Sequence, residues 1–172
     1  MKKLIIALCM AFVGIGASAQ SGEMAVGVDL GVVPFLEGEG SPTNFEIGAK
    51  FRYGLTEAVR LEADLDYAFQ SKNVDVFSVS ANAHYLIPVS DGFKLYPLVG
   101  IGYGRVGWSE SYDFNGDFNL TASTSLSRFL FNVGIGADYA IAENLDLNLE
   151  FKYQYMKDFN RLPIKIGITY KF

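Results

Sequence analysis

Cysteine is all but missing from this sequence: the single one, Cys9, stands in the first apolar stretch of 172 residues. Cleavage of that stretch leaves a chain without cysteine, which excludes disulfides and thiolate chemistry. The residue before a lipoprotein cysteine is normally small, and bulky Leu8 does not fit that role. Long hydrophobic runs are also lacking. Half of the residues are hydrophobic, yet after residue 19 no apolar run approaches 18 residues, so helical membrane spans are not expected. Basic charge is scarce as well. The net charge is −5, and losing Lys2 and Lys3 lowers the 14 basic residues to 12 against 19 acidic ones, a balance of −7. Nucleic acid is excluded as a partner, because phosphate binding needs a basic surface.

The N-terminus carries a short cationic head, Met1-Lys2-Lys3, and then no charge from Leu4 to Gly16. Ala17-Ser18-Ala19 offers small residues at the spacing of a signal-peptidase site. As a helix the apolar stretch would rise about 20 Å, short of the roughly 30 Å hydrocarbon core. Residues 1–19 therefore read as a secretory signal peptide cut before Gln20, and residues 20–172 as one domain.

Glycine, tyrosine and phenylalanine are abundant, and they fall into a period-two pattern. From Val59 to Phe69, Val59, Leu61, Ala63, Leu65, Tyr67 and Phe69 share one face, while Arg60, Glu62, Asp64, Asp66 and Ala68 share the other. A helix would mix the two sets; a strand separates them. Leu145–Tyr155 repeats the pattern, and so do Val26–Val32, Phe45–Tyr53, Phe77–Tyr85, Val99–Gly104, Arg128–Tyr139 and Ile164–Phe172. Eight strands is an even number, which lets an up-and-down meander close on itself. Tight turns are expected at Gly54–Glu57, Pro88–Gly92 and Ala140–Asn144, with loops at Pro34–Thr43, Gln70–Asn73, Trp108–Ser125 and Lys157–Pro163. Three of the four loops are longer than the turns, the asymmetry of a membrane barrel; Gln70–Asn73 is not.

Alternation alone does not say which face looks outward. A soluble lipocalin-like carrier would enclose the apolar face, and a membrane barrel would turn it to lipid. Aromatic residues near the strand ends, among them Tyr53, Phe69, Tyr103, Tyr139 and Phe172, suit interfacial girdles. Gly100, Gly102, Gly104, Gly134 and Gly136 on the polar faces would make room for long cations in a narrow interior, whereas on a solvent face they would only weaken the strands. An eight-stranded interior is just filled by side chains. These points favour an all-β, eight-stranded antiparallel transmembrane barrel with its charges inside. Buried charges must be paired. Glu46, Lys50, Arg52, Arg60, Glu62, Asp64, Asp66, Arg128, Asp138, Glu150, Lys152 and Lys165 supply both signs for a lumen network. It reads as a salt-bridged plug, with an ion path as the alternative.

The leader, the eight alternating strands and the ending Ile164–Phe172 together resemble the small outer-membrane barrels typified by OmpX and the OmpA transmembrane domain. The resemblance implies an outer-membrane location, contact with outer-membrane lipid, and assembly by the barrel-assembly machinery reading Ile168, Tyr170 and Phe172. The peptidoglycan-binding domain of full OmpA has no counterpart here, so cell-wall tethering by that route is not expected. A monomer without cofactor or metal is expected.

Some small barrels process lipid A with a His and a Ser near the lipid boundary. His84 is the only histidine; Ser78 and Ser80 share its face, but Tyr85 and Leu86 follow it, so the His-x-Ser pattern is absent. The shared face points into the lumen, away from lipid, and catalysis is not expected. The acidic, aromatic segment around Tyr112, Asp113, Phe114, Asp117 and Phe118 suits contact with an extracellular protein or glycan. Its echo of a calcium loop fails, because the glycine comes too early and the twelfth-position acid is missing. The expected function is a non-catalytic structural or surface-contact role through extracellular loops, with a narrow channel for ions or small solutes as the alternative.

Overall fold

The computed structural model describes residues 22–36, 42–114 and 118–172, with the side chains of 109–123 excepted. Its strands are β1 (Met24–Pro34), β2 (Thr43–Gly54), β3 (Val59–Ser71), β4 (Val74–Tyr85), β5 (Ile87–Ser90), β6 (Phe93–Phe114), β7 (Phe118–Ala142), β8 (Leu145–Met156) and β9 (Ile164–Lys171). All pairing is antiparallel, and β1 pairs with β9 from Ala25↔Lys171 to Val32↔Ile164, which closes the sheet. β4 and β5 form one stave interrupted at Leu86: β4 follows β6 down to His84↔Leu98, and β5 takes over at Ile87↔Leu95. The result is an eight-stave barrel. Closure leaves no free edge in its wall, which a bilayer requires, because lipid offers nothing to an unpaired N–H or C=O.

Turn chemistry sorts the two ends. At one end β2–β3, β5–β6 and β7–β8 turn tightly beside the start of β1 and the end of β9. Thr56 Oγ1 accepts from the Val59 N–H at 2.9 Å in the first of these turns. Gly92, at φ 79°, takes the left-handed position in the second. At the other end, Lys72 (φ 47°) and Asn73 (φ 67°) make a two-residue hairpin, which is why this connection is as short as a periplasmic turn.

Several boundaries differ from the sequence reading; β6 starts at Phe93 and not at Val99, and β7 runs on to Ala142. Ile87–Ser90 is strand, so the expected Pro88–Gly92 turn narrows to Asp91 and Gly92. The expected Trp108–Ser125 loop is mostly a continuation of β6 and β7, whose ladder runs to Phe114↔Phe118. Alternation does persist there in Trp108, Tyr112 and Phe114, but the intervening Ser, Glu and Asp gave it the composition of a loop. β4 leaves β6 at Val74↔Trp108, and β8 leaves β7 at Leu130↔Met156, so this hairpin rises past its neighbours.

The pleat decides what is inside. β2 alternates exposed and buried residues from Thr43 to Arg52, and the buried set includes Glu46, Lys50 and Arg52. Among the largest fully buried side chains are Arg52, Arg161, Tyr96, Lys152 and Lys165. Val28, Ile101, Ile135 and Leu149 are exposed, Ile101 by 67%. An apolar exterior around an ionic interior is the membrane-barrel arrangement; a soluble ligand carrier would show the reverse. Twelve-residue strands such as β2, at about 3.3 Å per residue and a tilt near 40°, span roughly 30 Å. Outward aromatics ring both ends of that band. Tyr53, Tyr85, Tyr139 and Phe172 lie at the turn end, and Phe45, Phe69, Tyr103 and Phe129 at the other. Phe45 stacks on Phe69 at 5.9 Å and Tyr103 meets Phe129 edge-on at 5.6 Å.

Candidate functional site: a sealed ionic interior

The lumen is a stack of charge-paired layers. Arg52 on β2 is the hub. Its Nε donates to Glu62 at 2.7 Å, Nη1 to Asp138 at 3.1 Å, and Nη2 to Glu150 at 2.8 Å and to the Tyr96 hydroxyl at 3.1 Å. The β2–β3 register places Arg52 directly opposite Glu62 and Lys50 opposite Asp64, while Asp138 and Glu150 arrive across the lumen from β7 and β8. The guanidinium is the right group for this position, since five donors in a planar fork satisfy several carboxylates at once.

Lys50 joins Asp29 at 3.0 Å and Glu150 at 3.0 Å. Lys152 joins Asp64 at 2.7 Å and Glu150 at 3.1 Å. Lys165 meets Glu46 at 3.0 Å and also bonds Asp66. Below the hub, Arg60 donates to Asp138 at 2.7 Å and lies 4.8 Å over the Tyr96 ring. Lys171 and Asp146 pair at 2.9 Å near the periplasmic mouth. Taking an ion out of water costs several kcal/mol even after relaxation, so such a stack persists only when nearly every charge is answered.

Tyr96 is seated by a missing side chain. A Cβ at Gly136 would run into the Tyr96 ring, so the glycine is the space the ring occupies. The polar-face glycines thus serve more than long cations. Gly134 lies against Lys152, whereas Gly104 leaves room for the Met156 sulfur. His84 stacks on Tyr96 at 4.6 Å and accepts from Arg60 at its Nδ1, with its Nε2 3.3 Å from Glu62. It faces the lumen, as do Ser78 and Ser80, and all three are buried on the side away from lipid.

Toward the extracellular end the chemistry changes. Arg161, fully buried, donates to Ser78 at 3.0 Å, bonds Gln154, and pairs with Glu46 at 3.4 Å. Above this layer Phe35, Ala68, Val76, Val106, Leu130 and Met156 form a buried apolar cluster, with Val74, Trp108 and Phe159 packed against it. The barrel is thus stoppered by a greasy cap over an ionic column. At the opposite mouth a cavity of about 250 Å³, lined in part by Arg60, Lys94, Asp146 and Lys171, ends on Arg52.

The structure brings eleven of the twelve network residues together and leaves out Arg128. That residue is opposite Gly104 at the height of the cap, and its side chain, 30% exposed, stands 3.8 Å from Asp158. Asp29, Tyr96 and Arg161 belong to the column but were missed in the sequence. Oxygens of Glu62, Asp64 and Glu150 converge within 4.8 Å. Lys50, Arg52 and Lys152 already neutralise them, so the donor set fits an ion-pair knot and not a divalent cation. Ile168, Tyr170 and Phe172 face outward at the end of the chain, all exposed. Of the expected contact residues, Tyr112, Asp113, Phe114 and Phe118 lie on the hairpin beyond the described side chains, and Asp117 lies outside the described residues. Residues 1–19 also lie outside them.

The model of the outer membrane protein β-barrel domain matches residues 5–172. The chain belongs to that family. Its place is the bacterial outer membrane, crossed by β-strands. Among solved structures it is similar to Neisserial surface protein A (TM-score 0.70, 20% identity, 88% of this chain and 99% of that one). It is also similar to the attachment invasion locus protein Ail of Yersinia pestis (TM-score 0.58, 18% identity, 89% and 100%). A third is a major outer membrane protein of Thermus thermophilus (TM-score 0.65, 12% identity, 89% and 100%). At these identities the likeness is one of fold. No curated protein matches the sequence.

Proposed function

We propose that this member of the family is a non-catalytic surface-contact protein, a barrel whose wall and plug hold extracellular segments in place for an external partner. The observation that carries this reading is the filled interior. An ionic column under an apolar cap leaves no continuous passage among the described residues, so the lumen is scaffold and the exposed connections are what remains for recognition. The β6–β7 hairpin is the largest of them, with strands of 22 and 25 residues.

Its composition narrows the partner. Trp108–Ser125 contains Glu110, Asp113 and Asp117 and no Lys, Arg or His. The neighbour Ail has been crystallised with the heparin analogue sucrose octasulfate. A polyanion would be repelled by the hairpin of the present chain, which suits a basic protein surface instead. Deleting Ser111–Phe118 should abolish binding of cells or surfaces that the intact protein engages; unchanged binding would remove the reading. The alternative is a narrow channel, favoured only by the periplasmic cavity that stops at Arg52. Steady, defined single-channel openings in planar bilayers would establish it. We further assign residues 1–19 as a cleaved leader, Ile168, Tyr170 and Phe172 as the signal read during barrel assembly, and a monomer as the working state.

A further inference from the structure

Arg105 stands apart from the other described arginines. Arg52, Arg60 and Arg161 are buried in the lumen and Arg128 pairs with Asp158, but Arg105 is exposed and makes no ion pair or hydrogen bond among the described residues. It also faces outward. Arg105 is opposite Phe77 on β4 and Ser127 on β7, so the pleat gives it the same face as Phe77, Tyr103 and Phe129, two residues beyond the Tyr103–Phe129 pair. Those rings belong to the extracellular girdle, and Phe129 is 84% exposed. The unpaired cation therefore sits just above the hydrocarbon boundary, on the lipid side.

A groove of about 420 Å³ surrounds it, walled by Tyr67 and Phe77, floored at Gly107 and edged by Asp75, Arg105 and Ser125. The floor is specific to glycine. A Cβ at Gly107 would approach Asp75 Oδ1 to 2.6 Å, so the missing side chain is what lets the Asp75 carboxylate lie across β6. One cation, one carboxylate and a hydroxyl thus share a concave polar patch directly over an aromatic, lipid-facing wall.

We propose that this groove binds the phosphorylated sugar headgroup of an outer-leaflet glycolipid. The Arg105 guanidinium fits a phosphate through two parallel N–H donors. Asp75 would repel a bare phosphate, but it accepts hydrogen bonds from sugar hydroxyls, as Ser125 also can, so the patch favours a phosphosugar over a simple anion. The acyl chains continue downward over Phe77, Tyr103 and Phe129, the established lipid surface. The groove meets the base of the hairpin at Trp108, Thr124 and Ser125 but includes none of Ser111–Phe118, whose deletion tests the surface-contact role, so the two readings fail independently.

The test uses the mature protein in dodecyl maltoside, stripped of lipid and titrated with diphosphorylated lipid A, with complexes counted by native mass spectrometry. The expected result is a 1:1 adduct that inorganic phosphate does not displace. Arg105→Gln should weaken it about tenfold, the loss of one charge-assisted pair. Asp75→Asn should weaken it several-fold, and dephosphorylated lipid A should bind as poorly to the native protein as the phosphorylated form binds to Arg105→Gln. Heat-modifiable migration on gels checks that each variant is folded. Undiminished binding by Arg105→Gln would overturn the proposal. So would equal binding of phosphatidylglycerol, or tighter binding by Asp75→Asn, since either marks a general anion patch without sugar recognition.

Discussion

The ionic column and the apolar cap fill the same cylinder by opposite means. In the column, Arg52, Lys50, Lys152 and Lys165 are held by carboxylates from adjacent strands and from across the barrel, and each contact depends on the others. In the cap, Val76, Val106, Leu130 and Met156 pack without polar partners. The column is directional and brittle, because removing one member strands a charge. The cap is non-directional and tolerates loss in proportion to volume. The comparison teaches that sealing and registering are separate tasks: paired charges fix which strands face each other across the lumen, and the cap closes its extracellular end.

Breaking the column at its hub should have the largest effect. Arg52→Met leaves Glu62, Asp138 and Glu150 short of a partner, and should cost about 3–5 kcal/mol in urea unfolding from lipid vesicles. Adding Glu150→Gln to that variant should restore part of the loss, because it removes one stranded charge; a further loss would mean the column is not an electrostatic unit. In the cap, Leu130→Ala should cost about 2–4 kcal/mol by the same assay and open no conductance, since the layers below stay closed. Gly136→Ala sharpens the boundary case. Its added methyl meets the Tyr96 ring carbons, and about 1–3 kcal/mol of destabilisation is expected, relieved in part when Tyr96→Leu is combined with it and not by Tyr96→Phe, which keeps those carbons. The Lys171–Asp146 pair at the mouth is partly exposed, so Lys171→Ala should cost under about 1 kcal/mol. Arg128→Ala should cost under about 1 kcal/mol, since its 3.8 Å pair is long and its partner Asp158 is well exposed.

Legibility followed alternation closely. Wherever one parity was charged and the other apolar, as in Val59–Phe69, both the strand and its inward face could be read, and the lumen residues of β2, β3 and β8 came with it. The cap was illegible for the same reason, because Val74, Val76 and Phe77, or Phe129, Leu130 and Phe131, are apolar on both parities and hide the inward member. That doubling is itself a usable signal, since it marks where an interior turns dry. Tyr96 was missed because Pro97 and the nearby turn obscured the start of β6. Arg161 reaches the lumen from the connection after β8, bridging Phe35 and Gln154, where no period exists to read. Asp29 did alternate correctly between Val28 and Leu30, but its partners Lys50 and Lys165 lie on neighbouring strands whose register only the closed sheet supplies.

Neighbouring residues on β4 offer the most direct test of the sealed, inside-out barrel. Val79 faces lipid and Ser80 is buried in the lumen, while the only native cysteine, Cys9, falls in the segment expected to be cleaved. Val79→Cys in native membranes should react with a lipid-soluble maleimide and ignore a charged, water-soluble one, and Ser80→Cys should resist both until the barrel is unfolded. Rapid labelling of folded Ser80→Cys by the water-soluble reagent would show a hydrated lumen and contradict the account.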